Sequence, residues 1–178
     1  MSFWSEASVE PKRKNRWVFN IDGLQEWIVK DVQKPKYNLS KVEHQFGQHT
    51  FKYPGRVTWE DVSFTVVDPA VKDLDSARLL VDKIVKGGYL PPVSLQNAIR
   101  FISKQAALSV LGTPKIMQLN ADGAPIETWS LINAFIMNIN FGELSYDGDG
   151  DLVTIAMTMS YDYATLDGTA LTAGTKQV

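Results

Sequence analysis

Three long segments of the chain place apolar residues at every second position, and this alternation limits the possible folds more than any other feature of the sequence. The segments are residues 57–67, 134–141 and 152–163. Successive side chains of a β-strand point to opposite faces, so a period of two predicts strands with one buried face. We therefore expect a largely antiparallel sheet packed on a core. The predicted buried faces consist of Val62, Phe64 and Val66; of Phe135, Met137, Ile139 and Phe141; and of Val153, Ile155, Met157, Met159, Tyr161 and Tyr163.

The opposite faces of these segments carry no lysine or arginine in their central parts, although a sheet face exposed to solvent usually carries both. One interpretation is that another element covers this sheet, or that the composition is accidental. The other is that the sheet faces a confined aqueous space, with its long edges paired to neighbouring subunits. The faces consist of Asp61, Ser63 and Thr65; of Ala134, Ile136, Asn138 and Asn140; and of Leu152, Thr154, Ala156, Thr158, Ser160 and Asp162.

Further strand and turn signals fill most of the chain. Residues 16–33 predict a hairpin, with the turn at Asp22-Gly23. Strands are also expected at 42–46, 50–53 and 114–120, with turns at Pro54-Gly55 and Asp122-Gly123. Residues 126–141 predict one long strand, bulged near Asn133, and residues 147–151 a polar turn.

The clearest helical pattern covers residues 73–87, with Asp73 as the cap and Gly87-Gly88 as the end. A second helical stretch covers 95–111, either unbroken or capped again at Ser103. The predicted class is α+β, a mostly antiparallel β-sandwich or barrel with one or two flanking helices. We expect one domain, with an N-terminal arm at 1–15, a β-sandwich core at 16–163 and a flexible tail at 164–178.

Composition excludes several classes of function. The chain has 178 residues, a net charge of -2 and no cysteine, so disulfides, thiolate nucleophiles and cysteine-bound metals are excluded. The N-terminus lacks the apolar stretch of a secretory signal, and no apolar run is long enough for a membrane span. We therefore expect the protein to fold in a cytoplasm.

The sequence offers no convincing catalytic, metal or cofactor site. His44 and His49 are the only histidines. With Glu43 they would make at most an incomplete metal site. The acidic residues at 147–151 resemble a calcium loop, but Leu152 and Thr158 stand where an EF-hand needs Gly and Glu. We therefore expect no catalytic residue, no metal and no cofactor, and a protein that is not an enzyme.

Five segments carry a resemblance to a known family. They are FWSEASVEPKRKNRW at 3–17, YPGRVTWEDVSFTVVDP at 53–69, LGTPKIMQLNADGAPIETWSLINAFI at 111–136, NFGELSY at 140–146 and YDYA at 161–164. Taken together and in this order, they resemble the tail tube protein of contractile-tailed bacteriophages. The resemblance implies a small β-sandwich whose inner sheet joins those of five other subunits into one β-barrel ring. Baseplate tube initiators and the Hcp-like tube subunits of injection and secretion systems share this fold and remain alternatives.

The same resemblance implies partners and a location. Stacked hexameric rings would form a tube, with a sheath protein outside and a baseplate and a tail terminator at its ends. DNA or a tape measure protein would occupy the lumen transiently, and DNA would leave through it. The protein is then expected in the virion, in a phage tail assembled in the host cytoplasm, without membrane contact.

On this basis we predict that the small polar faces line the lumen. Lysine or arginine there would hold DNA by releasing counterions from its phosphates, and stacked rings would repeat each contact many times. Hydroxyls and amides keep the wall wet instead, and Asp162 would add mild repulsion. The predicted lumen residues are Ser63, Thr65, Asn138, Asn140, Thr154, Thr158, Ser160 and Asp162.

Residues 41–55 predict a protruding hairpin for contact between rings. Phe46, Phe51 and Tyr53 lie there in a polar, glycine-flanked stretch. Aromatic residues on a protrusion suit a partner surface, and the family uses a loop in this region for stacking. The alternative is that these aromatic side chains fold back on their own core.

Overall fold

The computed structural model describes residues 10–71, 74–89, 101–147 and 150–167. These residues form two four-stranded sheets, one separate two-stranded hairpin and two α-helices. The strands are β1 (Trp17–Asn20), β2 (Val29–Val32), β3 (Lys36–Phe46), β4 (His49–Glu60), β5 (Val62–Val67), β6 (Lys115–Leu119), β7 (Pro125–Ile132), β8 (Phe135–Asn140), β9 (Thr154–Ser160) and β10 (Tyr163–Leu166). The helices are α1 (Ser76–Lys86) and α2 (Lys104–Leu111).

Sheet I has the strand order β1-β6-β7-β10, and sheet II has the order β2-β5-β9-β8. Every strand pair is antiparallel. The strands β3 and β4 form a hairpin that belongs to neither sheet. This mostly antiparallel architecture with two helices confirms the predicted fold class.

The chain crosses from one sheet to the other at two points where the sequence predicted continuous strands. β7 passes into β8 through Asn133, whose φ of 57° lies in the left-handed region, a conformation that asparagine tolerates better than most residues. β9 passes into β10 through Tyr161 and Asp162. The single strands predicted over 126–141 and 152–163 are therefore wrong. The alternation of side chains persists through each bend, so it does not reveal that the pairing partner changes sheet.

The hairpin predicted over 16–33 is also wrong. Asp22-Gly23 does turn, with a φ of 77° at Gly23, but β1 pairs with β6 and β2 pairs with β5. A short 3-10 turn at Glu26–Ile28 lies between β1 and β2. The turn therefore connects two sheets rather than two neighbours in one sheet.

Two more strand boundaries differ from the prediction. The segment 57–67 is divided at Asp61 between the end of β4 and the start of β5. Pro54-Gly55 lies within β4 and does not end it. The last strand reaches Leu166, beyond the predicted core boundary at 163, and residues 168–178 of the predicted tail lie outside the described residues.

In β8, the register shifts between Ile136 and Asn138. Ile136 and Ile139 therefore lie opposite the buried Met159 and Met157, whereas Met137 is 60% exposed. The predicted core positions of Phe135 and Met137 are wrong, because a bulge exchanges the faces of a strand.

Local capping sets the start of both helices. Asp75 accepts a hydrogen bond from the backbone N–H of Arg78 at 2.9 Å, so α1 begins at Ser76 and not at 73. The predicted cap Asp73 lies outside the described residues. Ser103 caps α2 by accepting from the N–H of Ala106 at 3.2 Å, which confirms the predicted cap. Residues 90–100 of the second predicted helix lie outside the described residues.

The core lies between the two sheets. Phe19 of sheet I meets Phe64 of sheet II edge to face, with 5.0 Å between ring centroids. Both side chains are 1% exposed. Edge-to-face pairs add to the free energy gained from burial, so this contact joins the sheets at the centre of the core. The other buried apolar residues include Val62, Val66, Ile116, Leu131, Ile155, Met157 and Met159.

We predict that Phe64→Ala lowers the free energy of unfolding of the monomer by about 3–5 kcal/mol, because it leaves a cavity opposite Phe19. Urea titration followed by circular dichroism measures the change. Phe46→Ala is the matched control: Phe46 is 72% exposed, so the loss is expected to stay below about 0.5 kcal/mol. Equal losses for the two variants would contradict this account of the core.

Candidate assembly surfaces

The outer face of sheet II gathers seven of the eight residues predicted to line the lumen. Thr158 lies opposite Ser63 on one side and Asn138 on the other. The next row joins Thr65 and Asn140 through the exposed Ala156. β5, β8 and β9 contain no charged residue at all. The seven residues brought together are Ser63, Thr65, Asn138, Asn140, Thr154, Thr158 and Ser160.

Charge enters this sheet only at β2, within the described residues. Lys30 and Asp31 are exposed there. Thr65 donates a hydrogen bond from its hydroxyl to the Asp31 carboxylate at 3.1 Å. β2 and β8 are the two edges of sheet II. Each edge strand presents backbone N–H and C=O groups that its own sheet does not use.

Asp162 lies apart from the other seven, at the passage from β9 to β10. Both of its carboxylate oxygens accept from the Lys104 ammonium, at 2.9 and 2.7 Å. The side-chain amide of Asn133 donates to the same carboxylate at 2.7 Å. The hydrogen bonds from Lys104 and Asn133 lower the pKa of Asp162. Its negative charge is therefore matched by α2, and it fastens that helix to the passage between the sheets.

The hairpin of β3 and β4 has apolar residues on both faces, but at different heights. Near its base, Tyr37 pairs with Trp59 and Leu39 with Val57, and these four form the basal patch. The Tyr37 and Trp59 rings lie 5.3 Å apart, and Trp59 lies 6.0 Å from the Tyr161 ring of the subunit core. The basal patch is therefore on the face that continues toward the sandwich.

Near the tip, the apolar residues lie on the opposite face. Alternation along β3 separates Val42 and Phe46 from Tyr37 and Leu39. Val42 lies opposite Tyr53, and Phe46 and Phe51 lie on the same face. We call Val42, Phe46, Phe51 and Tyr53 the distal patch. All four side chains are exposed, from 49% for Phe51 to 72% for Phe46.

A bulge in β4 keeps the two strands in phase across this change of face. Gly55 and Arg56 together lie opposite Ser40, and the register shifts there. The Ser40 hydroxyl accepts from the N–H of Arg56 at 2.8 Å. A Cβ at position 55 would stand 2.2 Å from the Ser40 hydroxyl oxygen. Only glycine fits this approach, which explains why Pro54-Gly55 does not form the predicted turn.

The predicted contact residues Phe46, Phe51 and Tyr53 thus share one exposed face, and none of them packs on the core cluster described here. On the other face at the same height, Lys41 forms an ion pair with Glu43 at 2.8 Å. The tip of the hairpin is therefore amphipathic, with one apolar face and one charged face.

Glu127 is an anchoring residue that the sequence analysis did not single out. It is 9% exposed and accepts from the ammonium groups of Lys12 and Lys34 and from the Trp129 indole N–H, the last at 2.6 Å. Lys12 belongs to the N-terminal arm, and Lys34 belongs to the connection from β2 to the hairpin. A single carboxylate therefore ties the arm and the base of the hairpin to β7.

The arm has a second attachment beside Glu127. The side-chain amide of Gln118 donates to the carbonyls of Arg13 and Arg16, at 2.7 and 2.6 Å. Glu127 occupies the same alternating position as Trp129 and the fully buried Leu131. A carboxylate on the apolar face of a predicted strand was the available signal, since such a group is buried only when it is paired.

Among the described residues, no group of three or more His, Cys, Asp or Glu side chains is arranged to hold a metal ion. His44 and His49 lie beside the distal patch, opposite Phe51 and Phe46. A search of the described helices found none with the length and hydropathy of a membrane span.

Comparison with known proteins identified the fold. No family model and no curated protein matches the sequence. Among solved structures, a chain of the anti-feeding prophage cap matches with a TM-score of 0.64 and 13% identity, covering 90% of this chain and 93% of that one. A chain of the sheath–tube complex of PVC, an extracellular contractile injection system, matches with a TM-score of 0.62 and 16% identity, covering 93% and 97%. A chain of the PVC sheath/tube terminator matches with a TM-score of 0.63 and 16% identity, covering 90% and 99%.

The chain has the tube-protein fold of contractile injection systems. This likeness extends over nearly the whole chain. It confirms the tube fold that the sequence segments had suggested, and the neighbouring structures are tube, cap and terminator assemblies rather than enzymes.

The Glu127 anchor predicts a pH dependence of the tube-fold subunit. Burial by itself raises the pKa of Glu127, but the hydrogen bonds from Lys12, Lys34 and Trp129 lower it to about 2. A lowered pKa stabilises the fold above the usual value of 4.5, and this stabilisation disappears as the pH falls toward about 2. At neutral pH we expect it to be on the order of 2 kcal/mol, after allowance for screening by solvent.

Glu127→Gln should therefore lower the stability of the monomer at pH 7 and flatten the decline of stability between pH 4.5 and about 2. Urea unfolding across this pH range measures both effects. Glu43→Gln is the control, because it removes only an exposed ion pair and should change stability by less than about 0.5 kcal/mol. An unchanged acid profile in Glu127→Gln would show that the carboxylate does not act as this anchor.

Proposed function

We propose that this protein is a structural subunit of the tail tube of a contractile-tailed bacteriophage. Six copies form a ring, and rings stack head to tail into a tube through which DNA passes into the host. The fold shared with chains of a sheath–tube complex supports this proposal. A chain of the 6-fold symmetrised anti-feeding prophage baseplate, with a TM-score of 0.60, supports the number of subunits in a ring.

The observation that carries the proposal is the open, uncharged sheet II. Its core face is filled by its own subunit, while its outer face carries small polar residues and both edge strands are free within the described residues. Because the sheet is antiparallel throughout, β2 and β8 run in opposite directions. Rotation about an axis along the strands would therefore bring β2 of one copy antiparallel to β8 of the next. Repetition closes a barrel, which removes every exposed edge.

The outer face of sheet II would then line the lumen. Because β5, β8 and β9 carry no charge, the wall offers phosphates no cation to bind. The non-specific affinity of proteins for DNA comes from phosphate neutralisation by Lys and Arg, so such a wall lets DNA slide. Asp162 is at most a minor contributor, since Lys104 matches its charge.

The distal patch of the hairpin would make the contact between rings. It is an apolar surface on a projection that packs on nothing else among the described residues. A contact between two different surfaces that does not close on itself extends into a filament. The Glu127 anchor fixes the base of the hairpin, so the patch is presented at a defined angle.

The remaining partners follow from this role. A sheath protein would surround the tube, a baseplate and a tail terminator would occupy its ends, and a tape measure protein or DNA would fill the lumen. The protein would then be located in the phage tail.

A cap or terminator is the second candidate, because chains of cap and terminator structures match with TM-scores of 0.64 and 0.63. A terminator would form rings but would not extend them. Baseplate initiators and Hcp-like secretion tubes share the same logic of ring formation.

The ring itself is tested by sedimentation and negative-stain microscopy of the purified protein. We expect six-fold class averages that stack into tubes as concentration rises. Five-fold or seven-fold rings, or monomers at every salt and protein concentration, would refute the proposal. Single rings that never stack would favour the terminator.

The stacking contact is tested by placing a charge on either face of the hairpin tip. Phe51→Lys puts an ammonium into the distal patch and should abolish tubes while leaving rings, because a buried unpaired charge costs several kcal/mol. Thr50→Lys adds the same charge one residue away on the opposite face and should leave tube formation intact. Microscopy counts tubes and rings in both. Normal tubes from Phe51→Lys would contradict the contact.

The lumen is tested with Thr154→Lys plus Thr158→Lys. Tubes should still form, infection should fall most at low salt, and added duplex DNA should not sediment with intact tubes, because these lysines face a closed channel. Thr128→Lys plus Ser130→Lys is the matched pair in sheet I, and its tubes should bind added DNA from outside. Failure of the first pair to assemble would place those threonines in a buried contact. Unchanged infection would show that they do not face the DNA.

A further inference from the structure

An apolar groove lies along the β8 edge of sheet II, between that strand and the two helices. Its volume is about 340 Å³, and its lining includes Ile84, Ala107, Val110, Leu111, Ile139 and Phe141. Lys83 lies at the groove, but its ammonium donates to the Val110 carbonyl at 2.7 Å. The groove therefore presents an apolar surface beside the strand edge that the proposed ring uses.

At the other edge of the same sheet, an exposed tryptophan precedes β2. Trp27 is 66% exposed, whereas the next residue, Ile28, is 4% exposed and belongs to the core. The Glu26 carboxylate in the same 3-10 turn accepts from the Asn20 amide at 2.7 Å. The turn is thus fixed on both sides of Trp27, and it holds a large apolar side chain in solvent.

The register of sheet II places these two features at the same end of the sheet. Val29, the first residue of β2, lies opposite Val66, which lies opposite Ile155. The last residue of β8, Asn140, lies opposite Ala156, the neighbour of Ile155. A rotation about an axis along the strands keeps both at one level. The residues before β2 of one copy therefore meet the end of β8 of the next, where Phe141 lines the groove.

We propose that Trp27 of one subunit inserts into the groove between α1, α2 and β8 of the adjacent subunit in the ring. The inference rests on the proposed function, since it requires the ring. Tryptophan is the side chain most often found as the central anchor of an interface, where it fills an apolar pocket. Trp27 covers the groove and loses its own exposed surface, so both unpartnered apolar surfaces are buried by one contact. Pairing of β2 with β8 sets the register, and Trp27 holds the joint from the outer side of the barrel.

The absence of cysteine from the chain makes disulfide trapping unambiguous. Trp27→Cys combined with Ala107→Cys, oxidised in assembled rings, should give a covalent ladder that ends at the closed ring on a non-reducing denaturing gel. A mixture of the two single variants should give dimers across one joint. Trp27→Cys with Asp122→Cys, which lies in the turn between β6 and β7, is the control pair and should remain monomeric.

A second cysteine pair separates failure of this contact from failure of the ring. Asp31→Cys with Asn138→Cys reports pairing of β2 with β8. If that pair cross-links and the Trp27 pair does not, the ring stands and the Trp27 contact is overturned. If sedimentation finds only monomers and neither pair cross-links, the proposed function fails and the Trp27 contact fails with it. Rings in which neither pair cross-links would overturn both the edge pairing and the groove contact.

Trp27→Ala gives an independent measure of the contact. We expect ring assembly to weaken at least tenfold in sedimentation, as for the anchor residue of an interface. The thermal unfolding of the monomer should be unchanged, because the side chain lies in solvent there. Trp27→Phe, which retains an aromatic ring, should recover part of the affinity. Assembly of Trp27→Ala at the strength of the unaltered protein would overturn the proposal.

Discussion

Burial of one face of β5 and β9 is the constraint on which the rest of the structure depends. Val62, Phe64 and Val66 of β5 and Ile155, Met157 and Met159 of β9 are at most 1% exposed. Because side chains alternate, burying these residues commits Ser63, Thr65, Thr154 and Thr158 to the other face. The two strands form the centre of sheet II, so they also leave β2 and β8 as its edges. A one-residue change of register would reverse the chemistry of both faces.

The features proposed for assembly are all attached to this rigid centre by short connections. The hairpin leaves β2 through Lys34 and returns to β5 through Asp61, and Glu127 fixes its base to β7. The helices close the β8 edge, where Lys104 binds Asp162 at the passage between the sheets. Projecting or charged elements therefore lie around sheet II, while its centre stays uncharged. This separation suits a subunit whose inner wall must stay inert while its periphery makes specific contacts.

Two bulges adjust faces that simple alternation would place wrongly. The bulge at Gly55 keeps β4 in phase with β3 while the apolar surface of the hairpin changes sides. The bulge at Met137 turns Ile136 and Ile139 toward the core and leaves Met137 near the groove. A bulge inserts one residue into the pairing of a strand and strengthens its twist. In this protein each bulge separates a surface that contacts the core from a surface that is free to contact another copy.

The sequence by itself determined which residues are buried and uncharged. The period of two in 57–67 and 152–163 predicted the core residues Val62, Phe64, Ile155 and Met157, and the distribution of charge predicted the small polar face of sheet II. The cap at Ser103 and the turn at Asp122-Gly123 were also readable, because they depend only on neighbouring residues.

Only the tertiary structure decided which strands pair. Asp22-Gly23 turns as predicted, yet it joins two sheets, and the alternation through Asn133 and Tyr161 continues while the chain changes sheet. Pairing depends on hydrogen bonds between residues far apart in the chain, and a local pattern does not contain them. For the same reason Glu127 and Trp27 were found only in the structure. One is defined by cations brought from Lys12 and Lys34, and the other by its position level with the groove at the opposite edge of sheet II.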